Sequence, residues 1–216
     1  MSRREEGSEC PEEVRFSHLP PDTWQKPPPS LFAEDALTLA GKLLGCLLVH
    51  TTATDRRSGV MVETEAYMES EPSCHAWGGP TERNRPMFAR GGLAYVYLSY
   101  GIHHCFNVGS GGKGRGEAVL VRAMEPCEGL EMMSKARGGK DLSQLCSGPG
   151  KLCQAMGIDL SHNGVSLTGS SLGILVPRER LVWSIGRSAR IGITKAADLP
   201  YRFYVKGSPF LSRSSS

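Results

Sequence analysis

Glu65 and Tyr67 lie two residues apart in the run Val62-Glu63-Thr64-Glu65-Ala66-Tyr67. In an extended chain that spacing sets both side chains, together with Glu63, on one side, with Glu65 and Tyr67 roughly 6.6 Å apart. A carboxylate beside an aromatic ring suits a pocket that stacks a planar ligand and activates a water molecule. It equally suits a solvated edge strand carrying ordinary surface acids, and spacing alone does not separate the two. Arg122 closes the strongly apolar run Ala118-Val119-Leu120-Val121 and is therefore expected to be half-buried and paired with a carboxylate, Glu65 being a candidate. Tyr95, Tyr97 and Tyr100 follow in Ala94-Tyr95-Val96-Tyr97-Leu98-Ser99-Tyr100-Gly101. Strand packing accounts for the first two. Tyr100, beside a glycine at a hairpin tip, is expected to protrude, and an exposed ring there suits a wedge between base pairs.

Other polar residues carry less. His75 sits in a long loop with no second or third ligand at metal spacing, and His103 and His104 are adjacent on a strand, facing opposite ways. The seven cysteines are odd in number, scattered, and form no C-x-x-C pair. Free thiols in a reducing compartment are the expectation, with no metal and no cofactor. Arg83, Arg85 and Arg90 punctuate the same loop, either as a solvated basic surface or as phosphate contacts.

The elements that must position these groups form one domain. Residues 1–29 are polar and proline-rich and read as a flexible N-terminal arm; 30–211 form the folded domain and 212–216 a disordered tail. Ala36, Leu39, Ala40, Leu43 and Leu44 recur at helical spacing, with Gly45 as the stop. Strands are expected at Cys46–Val49 and Gly59–Tyr67, followed by a long loop from Glu69 to Gly92. Leu93–Ser99 and Ile102–Val108 read as a hairpin, and Ala118–Ala123 as a further strand. Pro126 suits the first turn of a helix to about Arg137, and Ser147 and Pro149 open a short helix that stops at Gly157. Gly173–Val176, Arg190–Ile193 and Tyr201–Val205 complete the strands. Strands follow strands, with helices in separate blocks, which predicts an α+β domain with a largely antiparallel sheet. The 216 residues hold no apolar run near the ~20 needed to span a bilayer, and no secretory signal. A net charge of +3 permits a nucleic-acid partner without demanding one.

Taken together, these segments resemble the alkyladenine (3-methyladenine) DNA glycosylase family. The resemblance rests on Val62 to Tyr67, His75, Arg83-Asn84, Met87-Phe88, Ala94 to Tyr97, Tyr100-Gly101 and Asn107. It continues through Leu120 to Pro126, Cys146 to Pro149, Lys151 to Ala155 and Arg202 to Pro209, in the family's order over about Leu37–Leu211. It implies a curved antiparallel sheet, peripheral helices and a hairpin that enters the DNA minor groove. By position, Tyr100 would be the wedge and Ile102, where methionine is common, a groove contact. Tyr67 would stack on one face of an extruded base, with His75 and Tyr97 on the other and Asn107 on the pocket floor. Glu65 and Arg122 would hold the attacking water with the backbone carbonyl of Ile191. Arg83, Arg85 and Lys151 are candidate contacts to the DNA backbone. The implied activity is hydrolysis of the bond between a damaged purine and its sugar in double-stranded DNA by a monomeric, cofactor-free enzyme. The expected location is the nucleus for a eukaryotic source and the cytoplasm for a bacterial one. Glu82 stands where the family usually has proline, and Arg90-Gly91-Gly92 replaces a commoner proline-bearing turn, so the orientation of the pocket loop is the least determined feature. Two rival readings are a lesion-binding protein that does not cut and a carbohydrate glycosidase using Glu63 and Glu65 as its carboxylate pair.

Overall fold

The computed structural model describes residues 13–213. In chain order the elements are β1 (Trp24–Gln25), α1 (Ala36–Leu43), β2 (Leu47–Thr51), β3 (Arg56–Tyr67), β4 (Ala94–Ser99), β5 (His103–Gly109) and β6 (Ala118–Glu128). Then follow α2 (Leu130–Ala136), α3 (Leu142–Leu145), α4 (Pro149–Met156), β7 (Leu172–Pro177), β8 (Ile185–Ser188) and β9 (Arg202–Val205). The described residues therefore form an α+β domain with nine strands in one open antiparallel sheet and four helices, as the block order of the sequence predicts. Strand order is β1-β7-β2-β3-β6-β5-β4, with β9 attached to β3 and β8 to β9.

β3 is the spine of this sheet. One edge pairs with β6 along most of its length, while the other is shared by β2, at residues 56–60, and β9, at residues 63–65. Every residue from Ser58 to Ala66 is buried, so the solvated-edge reading of its acids fails. α1 packs across the strand: Ala36, Leu39, Ala40 and Leu43 are wholly buried, and Thr64 Oγ1 donates to the Ala40 carbonyl at 2.9 Å. Burying side chains such as Leu39 and Leu43 contributes about 1.5–3 kcal/mol each. Asp35 caps the helix by accepting from Thr38 N–H at 2.9 Å. Gly45 then turns the chain with φ +80°, and a Cβ there would meet the Trp183 ring at 2.1 Å.

Four expectations need correcting. Pro126 does not open a helix: it lies inside β6 opposite Gly59, where the register shifts, and α2 starts only after Gly129 takes the left-handed conformation (φ 73°). Arg190–Ile193 is not a strand; the pairing with β9 is made by Ile185–Ser188, and the chain then bends to put Arg190 and Ile191 against β3. The part of the arm from 13 to 29 is docked rather than flexible, with Phe16 buried in the core and β1 paired to β7. Glu125, buried on β6, accepts the N–H groups of Phe16 and Ser17 at 2.8 Å each, which satisfies both the carboxylate and the incoming backbone. Residues 1–12 and 214–216 lie outside the described residues. Ser212, expected in the disordered tail, is instead hydrogen-bonded to Glu63.

Candidate active site

Two carboxylates and two arginines meet where β3, β6 and β9 adjoin. In the β3–β6 ladder Glu63 faces Ala123 and Thr64 faces Val121, which leaves Arg122 as the extra residue of a bulge. A bulge re-aims the side chain it carries. The Arg122 guanidinium lies across both acids, with Nε 3.0 Å from Glu63 Oε1 and one terminal nitrogen 3.2 Å from Glu65 Oε2. The same nitrogen is 3.5 Å from the Ile191 carbonyl. The sequence expectation that Arg122 pairs with Glu65 therefore holds, and Glu63 is a second partner it did not include.

The two acids have different surroundings. Glu63 Oε1 also accepts from Arg202 Nε at 2.8 Å, and Ser212 donates its N–H at 2.6 Å and its hydroxyl at 2.7 Å. Burial pushes the Glu63 carboxyl up, but Arg202, Arg122 and the Ser212 N–H outweigh it and hold it below the ordinary value of 4.5. Glu65 has one arginine, the Tyr67 hydroxyl at 2.9 Å and the Ile191 N–H at 2.7 Å. For it burial wins over those partners, and the carboxyl is raised above 4.5.

Tyr67, whose hydroxyl touches Glu65, is also a wall of a cavity lined by Ser73, His75, Met87, Tyr95, Tyr97 and Asn107. His75 Nδ1 lies 2.8 Å from the Tyr95 hydroxyl and its ring meets Tyr97 edge to face at 4.5 Å. Burial and the nearby Arg83 lower the His75 pKa, which favours the neutral ring. Asn107 faces Tyr95 across the hairpin and donates its amide to the Tyr95 carbonyl at 3.0 Å. The loop bearing His75 is fixed by buried Asn84, which donates to the carbonyls of His75 at 2.9 Å and Gly79 at 3.1 Å. Glu82 stays exposed beside Arg85, so its replacement of the family's proline leaves that brace intact.

The hairpin formed by β4 and β5 carries both cavity walls and the tip. Tyr100 and Gly101 take positive φ (49° and 73°), the twist that two strands joined by a tight turn require. Tyr100 is 88 % exposed and Ile102 71 %, the most solvent-facing apolar side chains of the hairpin. Lys151, on the first turn of α4, borders the same groove as Tyr100 and His103. Arg83 lies over the Tyr97 ring at 5.3 Å, whereas Arg85 points outward and pairs with Glu82 at 3.5 Å.

Sequence reasoning brought Glu65, Arg122, Tyr67, His75, Tyr97, Asn107 and Ile191 to one region, and the structure places them together. It missed Glu63 as an ion-pair partner, Arg202, Ser212 and the buried Arg190–Glu71 pair. Arg202 carried the same signal as Arg122, an arginine in an apolar strand, here Arg202-Phe203-Tyr204-Val205. Nothing local marks Ser212.

Comparisons with known proteins identify the family. The family model described as methylpurine-DNA glycosylase matches residues 30–209. A protein of Methanoculleus marisnigri named "Putative 3-methyladenine DNA glycosylase" is 49% identical over 189 residues, covering 86% of this chain and 98% of its own. Proteins of the same name from Carboxydothermus hydrogenoformans and Rhodopseudomonas palustris are 46% and 47% identical, covering 86% and 84% of this chain and 98% and 85% of their own. None of the three comes from a nucleated cell, so they lend the nuclear location no support.

Proposed function

The chain belongs to the methylpurine-DNA glycosylase family and is a DNA-repair enzyme of the 3-methyladenine glycosylase type; on that premise we propose that it extrudes alkylated or deaminated purines from duplex DNA and hydrolyses their bond to the sugar, leaving an abasic site. The proposed substrates are 3-methyladenine, 7-methylguanine, hypoxanthine and ethenoadenine. A base inside a duplex must leave the stack to be cut, and a damaged one costs less to unstack. Tyr100 fills the gap it leaves and Ile102 contacts the minor groove. Tyr67 stacks on one face of the base, His75 and Tyr97 on the other. Aromatic faces attract an electron-poor or cationic purine, and a neutral His75 does not repel it. Asn107, its amide tied to Tyr95, crowds the exocyclic amine of a normal guanine.

Cleavage develops positive charge on the sugar. Ionised Glu65 stabilises it and accepts a proton from the water that adds to the anomeric carbon, while the purine leaves with the bonding electrons. Arg122 and the Ile191 carbonyl orient that water. General-base assistance of this kind contributes about 10²–10⁴-fold. Hydrolysis by a carboxylate-held water needs no amine nucleophile, and among the described residues that line the cavity none is a lysine. Arg83, Arg85 and Lys151 contact phosphates, and one protein molecule engages one lesion.

The observation that carries this reading is a fully buried carboxylate bonded to the hydroxyl of the tyrosine that walls the cavity. Single-turnover release of the four modified purines from duplex DNA tests it. Wild-type protein is expected to free at least one of them, and Glu65→Gln to bind the same duplex without release. Wild-type protein that binds lesion DNA yet frees no base would be a lesion binder instead.

A further inference from the structure

Arg190 takes no part in the chemistry above, yet its side chain is wholly buried, with both terminal nitrogens bonded and Nε without a partner among the described residues. One terminal nitrogen donates to the Ala66 carbonyl at 2.8 Å, between Glu65 and Tyr67 on β3, and to Glu71 Oε1 at 2.6 Å. The other donates to Glu71 Oε2, to Ser73 Oγ at 3.0 Å and to the Ala196 carbonyl at 3.2 Å. The guanidinium carbon lies over the Tyr67 ring, 4.6 Å from its centroid, and over the Tyr201 ring at 5.2 Å. The next residue along the chain is Ile191, whose N–H holds Glu65 and whose carbonyl reaches Arg122.

An internal ion pair that only stitched the 71–73 loop to the core would need none of the stacking and no bond to Ala66. We propose that Arg190 is a positioning residue that makes the Tyr67 wall and the Ile191 backbone one rigid unit, so that the stacked base and the water-holding carbonyl keep a fixed separation. The proposal rests on the base-flipping reading above. Its physical basis is the planar fork: a guanidinium can stack on a ring and bond two acceptor sets in its own plane at once, which an ammonium cannot. Tyr67 alone would be free to tilt about its side-chain torsions. With Arg190 packed against it and fixed to Ala66, its tilt is tied to the position of β3 and of the 190–191 turn. Misplacement of reacting groups by about 1 Å costs on the order of 100-fold in rate.

The test must separate positioning from mere support of the fold. Replacing a buried ion pair by two apolar side chains of similar size commonly preserves stability, so Arg190→Met with Glu71→Met is the informative protein, and Arg190→Lys is its conservative counterpart. Single-turnover release of the best wild-type substrate is measured across pH, with lesion-duplex affinity and thermal midpoint in parallel. The double variant is expected to melt within about 5 °C of wild type and to bind lesion duplex comparably. Its excision should be slower by on the order of 100-fold, and its acid limb displaced upward by about one pH unit because the Ile191 N–H no longer holds Glu65. The groups around Glu65 whose influence that limb reads are Arg122, Tyr67, Glu63 and the Ile191 N–H. Lysine should not restore the rate. Excision within about threefold of wild type by a folded double variant, or full rescue by lysine, would overturn the assignment. A wild-type protein that frees no base would instead defeat the function reading, and the two failures are distinguished by that control.

Discussion

Glu63 and Glu65 share a strand, a face and an arginine, and end in opposite states. Glu63 has two guanidiniums, a serine hydroxyl and a backbone N–H, and its carboxyl falls below the ordinary value. Glu65 has a share of one guanidinium, a phenol and one N–H, and its carboxyl rises. Two acids whose environments push their pKa values apart mark a division of labour. One is the more readily ionised and ties β6, β9 and Ser212 to β3. The other is kept under-neutralised, available to take a proton.

The widest separation between the two is expected in the rate. Glu65→Gln should lower single-turnover excision by about 10²–10⁴-fold while its thermal midpoint at neutral pH stays equal or rises. A neutral amide costs less to bury than a carboxylate, and active-site groups are often held at a cost to stability. Glu63→Gln should do the reverse. It leaves Arg202 without its carboxylate and Arg122 with Glu65 alone and should destabilise the fold by about 3–5 kcal/mol, with excision by the fraction still folded reduced far less. Equal losses of rate in the two variants, normalised to folded protein, would erase the distinction.

Titration gives the next contrast. With its folded pKa depressed, Glu63 contributes stability that is present above 4.5 and lost as pH falls through its lower folded value. With its folded pKa raised, Glu65 contributes in the opposite sense: its share is present below 4.5 and lost as pH rises through the higher folded value. The acid limb of excision should therefore lie above 4.5, at a pH where the fold is still intact, and a limb coinciding with acid unfolding would contradict this. A smaller effect is expected at the hairpin tip. Tyr100→Ser should slow excision roughly tenfold, in line with the loss of one stacked ring, and leave the thermal midpoint unchanged because the side chain is exposed. Least of all, Ser212→Ala should cost about 1 kcal/mol, visible as a small drop in midpoint, because its hydroxyl donates to Glu63 and accepts from Arg122.

Legibility from sequence followed the range of the forces involved. The hairpin, the helices that start at Ala36 and Pro149, and β3 were readable because periodicity and turn residues are local. Pro126 misled because a proline at a bulge and a proline at a helix start look alike until the partner strand is known. The 190–193 run looked like a strand because Ile191 and Ile193 alternate, but its backbone is committed to Glu65 and Arg122, a long-range demand that no window of residues reveals. The chemical groups of the site were named from type, spacing and resemblance together. What spacing could not show was the bulge at Arg122, and with it the reason one arginine serves two acids. Residues 13–29 were misread for a related reason: their composition is that of a linker, and the partners that dock them, Glu125 on a distant strand, the core around Phe16 and β7, are all remote in sequence.

The shared edge of β3 has a consequence for the order in which the molecule can be made. Residues 56–60 find β2 while synthesis is still near its start, but residues 63–65 wait for β9, and Glu63 waits further for Ser212. A ribosome that has delivered only the first 150 residues has already released the cavity walls, the protruding tyrosine and both acids. The turn at 190–191 and the second guanidinium, from Arg202, do not yet exist. Until they arrive, Arg122 is the one guanidinium available to the two acids, and the strand that carries them has an open edge. The chemical centre is thus the last part of the protein to become complete, and a chain interrupted during translation would present a tyrosine wedge with no finished centre behind it.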